Sequence, residues 1–231
     1  MNETKSEILV KERQLVIPGE TLAKGLDFLP SSGSFRDNNE IKSKILGLSK
    51  IKDRFIGAIP LSGVYVPKVG DGIIGFVEDM QSTIWIIELN SPYDAILPLS
   101  EAVGEYVDLN KTDISVYYDI GDVIYAKVLN ISKSKRVQLT MNDHRTRKLI
   151  GGRIMKITPS KVPRVIGKAG SMIELIKDKT KCQIIVGQNG VIWLKGENEG
   201  LAAKTIYKIE RESHTTGLTD KITAYLDKGG E

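Results

Sequence analysis

Residues 165–173 of this chain read Val-Ile-Gly-Lys-Ala-Gly-Ser-Met-Ile. The two glycines of this stretch let the backbone turn sharply and approach a ligand without interference from Cβ atoms. Apolar residues at helical spacing lie on both sides, so the pattern predicts a tight loop between two helices. The N-terminus of the second helix would offer unpaired N–H groups to phosphate oxygens. The candidate ligand-binding residues are Arg164, Ile166, Gly167, Lys168, Ala169 and Gly170.

The sequence around this loop alternates between strand and helix patterns. Thr158-Pro159-Ser160 is typical of a helix start, and Asn189-Gly190 is typical of a hairpin turn. The predicted elements are a strand at 153–157, a short helix at 162–166, a helix at about 171–180, strands at 182–186 and 191–195, and a helix at 198–211. Their order is β-α-α-β-β-α. The sequence thus predicts a small α+β domain over residues 147–231.

The preceding segment, residues 66–146, has the pattern of a small closed barrel. Short apolar runs separated by turn residues favour five strands of an OB-type fold. The predicted strands cover residues 73–77, 83–89, 95–97, 123–129 and 137–141. A basic turn with Lys133, Lys135 and Arg136 precedes the last strand and is the place where this barrel could contact phosphate. Trp85 could either stack on a base or close the barrel core.

Residues 1–65 contain turn and loop residues between short apolar runs, and no helical period of useful length. Leu15-Val16-Ile17 precedes the turn Pro18-Gly19-Glu20, and the runs 41–48 and 54–59 alternate as strands do. We therefore expect a small N-terminal β domain. The predicted fold class is mixed β and α+β, with three domains at 1–65, 66–146 and 147–231.

Charge is distributed unevenly along the chain. Residues 1–66 carry 10 basic and 8 acidic residues, residues 67–146 carry 7 and 12, and residues 147–231 carry 16 and 9. The formal charges are therefore +2, −5 and +7, which agree with the total of +4. A basic C-terminal third indicates a polyanion site on the last domain, because neutralisation of phosphates dominates affinity for nucleic acids.

The composition also argues against several functional classes. A single cysteine, Cys182, excludes an intramolecular disulfide and a zinc site built from paired cysteines. Neither His144 nor His214 has an acid, base or nucleophile arranged around it in the sequence, so we expect no catalytic site, metal or cofactor. Without a membrane-length apolar run or the apolar stretch of a signal peptide, the expected location is the cytoplasm.

The loop in its β-α-α-β-β-α context resembles the type I KH domain. In that family a Gly-x-x-Gly loop clamps about four nucleotides of single-stranded RNA against an apolar groove. The resemblance implies a groove completed by the strand 182–186, with Ile166, Ile173 and Ile184 either forming its floor or packing in the core. Cys182 and Trp193 are expected to be core residues.

The barrel segment resembles the S1 RNA-binding domain. The resemblance rests on Val69-Gly70-Asp71, Ile96-Leu97-Pro98-Leu99-Ser100-Glu101, Ile120-Gly121-Asp122-Val123 and Val137-Gln138-Leu139-Thr140-Met141. Pro98 is a departure, because family members that grip RNA on the barrel face usually have histidine there. With its negative charge, this barrel is not expected to bind RNA broadly.

A β domain, an S1 barrel and a KH domain in this order resemble the archaeal exosome cap subunits of the S1–KH type, the ribosomal-RNA-processing protein 4 family. Residues 16–20 and 63–67 extend the resemblance into the first domain. It implies a non-catalytic trimeric cap that docks on a ring of RNase PH-like subunits. Such a cap captures single-stranded RNA and feeds its 3′ end into the pore for degradation. The alternative is a free-standing RNA chaperone or translation-associated RNA-binding protein.

Overall fold

The computed structural model describes residues 6–104, 107, 113–215 and 217–229 of the 231-residue chain. The chain divides into two compact units, Met1–Gly63 and Val64–Glu231. None of the helices in this described part of the chain has the length and apolar character of a membrane span.

The first unit contains β structure, as the sequence predicts. Its strands are β1 (Glu7–Ile8), β2 (Leu15–Val16), β3 (Thr21–Lys24), β4 (Leu29–Pro30), β5 (Ser34–Asp37), β6 (Glu40–Ser43), β7 (Gly47–Lys52) and β8 (Phe55–Pro60). They form two four-stranded sheets, in the orders β1-β3-β6-β5 and β2-β7-β8-β4. The core between them contains the fully buried side chains of Val16, Leu22, Ile41 and Ile56.

The run 41–48, predicted as one strand, is divided between β6 and β7. The Ser43 hydroxyl donates to the carbonyl of Ile45 at 2.8 Å and accepts from the Ile45 N–H at 3.3 Å. A side chain that bonds the backbone two residues further on favours a turn over a strand. The chain therefore bends after Ser43, and β7 continues to Lys52.

The second unit begins with the predicted five-stranded barrel. The strands are β9 (Gly72–Gln81), β10 (Ile84–Glu88), β11 (Ala95–Pro98), β12 (Val123–Ile131) and β13 (Val137–Thr140), and the short helix α1 covers Leu99–Ala102. The barrel is closed by β13, which pairs antiparallel with β12 and parallel with β11. Alternate residues point inward, so that Trp85 and Ile87 of β10 are buried while Ile84 and Ile86 are only partly buried.

The C-terminal domain has the predicted order β-α-α-β-β-α. The elements are β15 (Arg153–Lys156), α2 (Val162–Ile166), α3 (Ser171–Thr180), β16 (Cys182–Val186), β17 (Val191–Gly196) and α4 (Glu199–Arg211). The sheet has the strand order β15-β17-β16, and the helices cover one of its faces around a core that includes Val165, Ile176 and Ile206.

Besides α1, two further elements of the second unit were not predicted. A three-residue strand, β14 (Arg147–Leu149), pairs with β12 and adds a sixth strand to the barrel sheet. A fifth helix, α5 (Leu218–Asp227), contacts α3 and α4 and buries Leu218, Ile222 and Leu226 in the core of the C-terminal domain.

The barrel and the C-terminal domain share a buried junction. The sheet face that the helices leave open packs against the barrel, and Ile74, Leu149, Val191 and Trp193 form a common apolar cluster. The turn between β16 and β17 is held at this junction, because the N–H of Gln188 donates to the carbonyl of Gly72 at 2.8 Å. These contacts make one compact unit of residues 64–231.

Candidate nucleic-acid interface

The loop between α2 and α3 depends on glycine at its first position. Gly167 has φ +77° and ψ 177°, a conformation that is essentially restricted to glycine. A Cβ atom at this position would lie 2.7 Å from both the backbone nitrogen and the Cβ of Met172. Gly170 has the left-handed φ of +85° and ψ of 1°, but its nearest neighbour to a Cβ atom would be Glu174 Oε1 at 3.8 Å. Packing therefore requires glycine at residue 167, whereas at residue 170 glycine is favoured mainly by the left-handed backbone conformation.

The exposed part of the loop is cationic. Lys168 and Ala169 are exposed, and so is Arg164 in the last turn of α2. Gly170 is the N-cap of α3, and no side chain caps this helix among the described residues. The N–H of Ser171 donates to the carbonyl of Lys168, but the first turn of α3 has no side-chain cap and its dipole favours an anion there. The structure brings together the predicted residues from Arg164 to Gly170 in one continuous surface segment.

One carboxylate lies beside this segment. Glu174 is exposed in the first turn of α3, where a negative charge interacts favourably with the helix dipole. The same charge would repel a phosphate bound to the N–H groups of that turn. Glu174 was not singled out from the sequence, although its position four residues after Gly170 made it recognisable.

Two of the three candidate groove residues belong to the core. Ile173 and Ile184 are 8% and 4% exposed and pack in the cluster of the C-terminal domain. Ile166 is partly buried against the same cluster. Of the three, Ile166 is therefore the one whose side chain is left partly open next to the glycine loop.

Trp85 closes the barrel core. It is fully buried, its Nε1 donates to the carbonyl of Tyr118 at 2.8 Å, and the two rings meet edge to face with centroids 5.4 Å apart. A base cannot stack on a ring in this position. Burial, reinforced by the charge of Asp122, raises the pKa of the Tyr118 hydroxyl.

The basic turn of the barrel lies at the tip of the β12–β13 hairpin. Lys133, Lys135 and Arg136 are all exposed, and Lys135 has a positive φ of 68°. The turn is closed by the N–H of Ser132, which donates to the carbonyl of Arg136 at 3.0 Å. These three cations and the glycine loop therefore belong to different domains of the same unit.

The cysteine and the two histidines considered in the sequence analysis do not form a common site among the described residues. Cys182 is buried, His214 is exposed, and the exposed His144 lies 3.2 Å from the Asp143 carboxylate. The backbone N–H of Arg145, together with Lys127, holds the pKa of the Asp143 carboxyl below its usual value. Across the described residues, no three His, Cys, Asp or Glu side chains are grouped as metal ligands would be.

An S1-type barrel joined to a type I KH domain defines an RNA-binding protein of the S1–KH class. Residues 64–130 match the family model described as the S1 domain of RRP4, and residues 152–200 match a KH-domain model.

Whole-chain relatives identify the family more closely. The exosome complex component Rrp4 of Thermococcus kodakarensis is 46% identical over 225 residues, which cover 95% of this chain and 87% of the relative. The Rrp4 component of Methanothermus fervidus is 43% identical, with 95% and 97% covered. A crystal structure of an exosome complex RNA-binding protein is similar at 34% identity, with a TM-score of 0.67 over 72% of this chain and 97% of that one. The chain belongs to the Rrp4 family of exosome components.

Proposed function

We propose that this chain is a non-catalytic cap subunit of a cytoplasmic exosome. Three copies sit on a ring of RNase PH-like subunits, capture single-stranded RNA and feed its 3′ end into the pore for degradation. The observation that carries the RNA-binding part is the exposed loop from Gly167 to Gly170, which presents Lys168 and the uncapped N-terminus of α3. The expected domain limits of 1–65, 66–146 and 147–231 assign docking, pore lining and capture to separate parts of the chain, with β14, at the start of the last range, paired to the barrel strand β12.

The outer face of a sheet in the first unit supports docking. Leu15, Leu48 and Ile59 form a row across β2, β7 and β8, because Leu48 pairs with both of the others. Leu15 and Ile59 are 57% and 44% exposed. The exposed side chains of Phe55 and Leu29 also pair with one another in this sheet. Apolar side chains grouped on an exposed face are typical of a surface that a protein partner covers.

The basic hairpin tip supports a role near the pore. Lys133, Lys135 and Arg136 of three symmetry-related copies would form a ring of positive charge, which attracts a polyanion over a distance of about a Debye length. A weak contact repeated three times holds a strand more firmly than one copy does.

A reciprocal pair of full-length variants tests this function. Lys168→Asp with Ala169→Asp keeps both glycines and reverses the charge of the exposed loop, and Asp tolerates the positive φ of 51° at residue 169. Leu15→Asp with Phe55→Asp alters the apolar face of the first unit. Each variant is co-expressed with the RNase PH-like subunits of the same organism, and its complex mass and affinity for labelled single-stranded RNA are measured.

The loop variant should assemble normally but bind RNA at least about tenfold more weakly, because phosphate contacts dominate affinity. The face variant should bind RNA as the unaltered chain does but fail to join the ring. A wild-type chain that binds RNA yet purifies without ring subunits would instead be a free-standing RNA chaperone. Degradation of labelled RNA by the isolated chain, abolished by a single substitution, would contradict the non-catalytic assignment.

A further inference from the structure

A second basic groove lies at the junction of the barrel and the KH domain. It has a volume of about 440 Å³. Its lining includes Arg147 and Lys148 of β14 together with residues of the KH domain, namely Lys181, Gln183, Trp193 and Lys195. Since β14 is paired with the barrel strand β12, the lining comes from both domains.

The groove contains four cations and no carboxylate among its lining residues. Lys148 is neutralised by an ion pair with Asp122, which lies outside the lining. Lys195 donates to the carbonyl of Ile150 at 2.9 Å, a bond that fixes the ammonium without removing its charge. Within the part of the chain that the structure describes, neither Arg147 nor Lys181 forms an ion pair, and both are exposed. Like charges held together in this way favour an anionic ligand.

A neighbouring groove at the same junction differs in this respect. It is lined by Lys127, His144 and Arg145, but Asp143 lies among them. The Asp143 carboxylate accepts from Lys127 at 3.3 Å and lies 3.2 Å from His144. Asp143 therefore offsets the charge of Lys127 and leaves Arg145 without an ion pair among the described residues. The groove of Arg147 and Lys181 has two such unpaired cations and no carboxylate in its lining.

The burial of Trp193 in the lining of the groove favours binding of phosphates over stacking of bases. Trp193 is 4% exposed, and its Nε1 donates to the carbonyl of Gly151 at 2.7 Å. Its ring packs in the junction cluster with Ile74, Leu149 and Val191, so its face is not open to a base. Side chains that contact only phosphates position a strand without reading its sequence.

We propose that this groove binds the phosphate backbone of single-stranded RNA, as a second contact separate from the loop of Gly167 to Gly170. The proposal rests on the RNA-binding function and deepens it. The two sites lie at opposite ends of α3, because the loop precedes Ser171 and Lys181 follows Thr180. At 1.5 Å per residue, the ten residues of the helix separate them by about 15 Å. At about 3.4 Å per stacked nucleotide, this distance corresponds to roughly four or five nucleotides.

The test uses the full chain and fluorescein-labelled 20-nucleotide A and U homopolymers. The groove variant is Arg147→Gln with Lys181→Asn, since asparagine tolerates the left-handed φ of 54° at residue 181. The matched control, Lys204→Gln with Lys221→Gln, removes the same charge from exposed positions on α4 and α5. Arg147→Lys with Lys181→Arg restores the charge. Thermal unfolding of each variant confirms that the fold is kept.

The expected signature is a change in salt dependence. Removing two phosphate contacts should lower the magnitude of the slope of log affinity against log salt by about 1.4, at about 0.7 per contact for a single strand. Between 50 and 200 mM salt, the unaltered chain should therefore lose roughly sevenfold more affinity than the groove variant. The loss should be equal for both homopolymers, absent in the control and reversed by the charge-restoring variant.

Three outcomes would overturn the proposal: a groove variant that matches the control, a loss confined to one homopolymer, or failure of the charge-restoring variant to recover binding. In each case the RNA affinity of the Lys168→Asp, Ala169→Asp variant shows whether the glycine loop binds RNA without a contribution from the groove. If the unaltered chain bound neither homopolymer, the proposed function itself would fail. The failure of the groove alone is thus distinguishable from the failure of the function.

Discussion

Asn189 of the KH domain binds both backbone groups of Ile74 in the barrel. Its Oδ1 accepts from the Ile74 N–H at 3.3 Å, and its Nδ2 donates to the Ile74 carbonyl at 2.7 Å. The same amide also donates to the carbonyl of Leu89 at 2.8 Å, and Asn189 is fully buried. A single side chain thus satisfies three backbone groups of another domain, which ties the β16–β17 turn to the barrel.

Asn189→Ala should destabilise the barrel–KH unit by about 3 kcal/mol, because it leaves buried backbone groups without partners. Urea unfolding followed by tryptophan fluorescence measures this directly, since both tryptophans, Trp85 and Trp193, lie in this unit. Gln188→Ala is the control, because that side chain forms no hydrogen bond among the described residues. Equal unfolding midpoints for the two variants would show that the Asn189 amide is not a structural bridge.

The two glycines of the RNA-binding loop should respond differently to alanine. Gly167→Ala should cost about 3 kcal/mol, because it combines a glycine-only conformation with close contact to Met172. Gly170→Ala has open space and should cost only about 1 kcal/mol, the strain of a left-handed residue. Equilibrium urea unfolding distinguishes them, and equal losses would contradict the packing argument.

This difference also decides which variant can test the loop. From the Gly-x-x-Gly spacing alone, a double change of Gly167 and Gly170 to aspartate would be chosen to weaken RNA capture while leaving folding and ring docking intact. The contact between residue 167 and Met172 makes that variant unsuitable, because lost binding could arise from lost folding. A Gly-x-x-Gly spacing identifies the loop, but it does not show which glycine is enclosed by its neighbours.

The elements with strong local patterns could be predicted from the sequence. The strand runs of the barrel and the β-α-α-β-β-α order have periodicities of two and 3.6 residues that do not depend on distant contacts. The helix α5 had such a signal as well, since Leu218, Ile222 and Leu226 are four residues apart, but it follows the last element of the KH pattern.

The junction of the two domains could not be predicted in this way. The strand β14 is three residues long, two of them charged, and it is a strand because β12 offers an unpaired edge. The Asn189-Gly190 pair correctly predicted a hairpin turn, but the neighbouring sequence does not indicate that this asparagine is buried against another domain. The basic groove joins residues 147, 181 and 195, which only the tertiary fold brings together.

Glu174→Gln should increase the affinity for single-stranded RNA. It removes the carboxylate beside the first turn of α3 and thus the repulsion of a bound phosphate, with an expected gain of about two- to fivefold. The change should also lower stability slightly, by about 0.5 kcal/mol, because the helix dipole loses a favourable charge. Asp178→Asn, a carboxylate seven residues beyond Ser171 on the same helix, is the control. Equal affinities for the two variants would place the phosphate away from the helix N-terminus.

Charge reversal at the β12–β13 hairpin tip should affect the assembled complex more than the free chain. We expect Lys133→Glu, Lys135→Asp and Arg136→Glu to keep the fold, because all three residues are exposed and aspartate tolerates the positive φ at residue 135. One free copy has a single tip, whereas a three-fold cap would present three around one opening. RNA affinity should therefore fall about threefold for the free chain and at least about tenfold for the complex.

Comparing the loss of RNA affinity in the free chain with that in the complex tests whether three hairpin tips surround one opening, and not only whether their charge attracts RNA. A tip that only adds to the general positive potential of the chain would weaken RNA binding equally in both states, because the same charges are removed from each copy. A tip that lines a shared opening acts three times on one strand, so its removal must also slow degradation of RNA by the complex. Filter binding of the free chain and of the complex, with the degradation rate measured in parallel, separates the two. Unchanged affinity and unchanged degradation would remove the hairpin tip from the RNA path and leave the glycine loop and the junction groove as its remaining contacts.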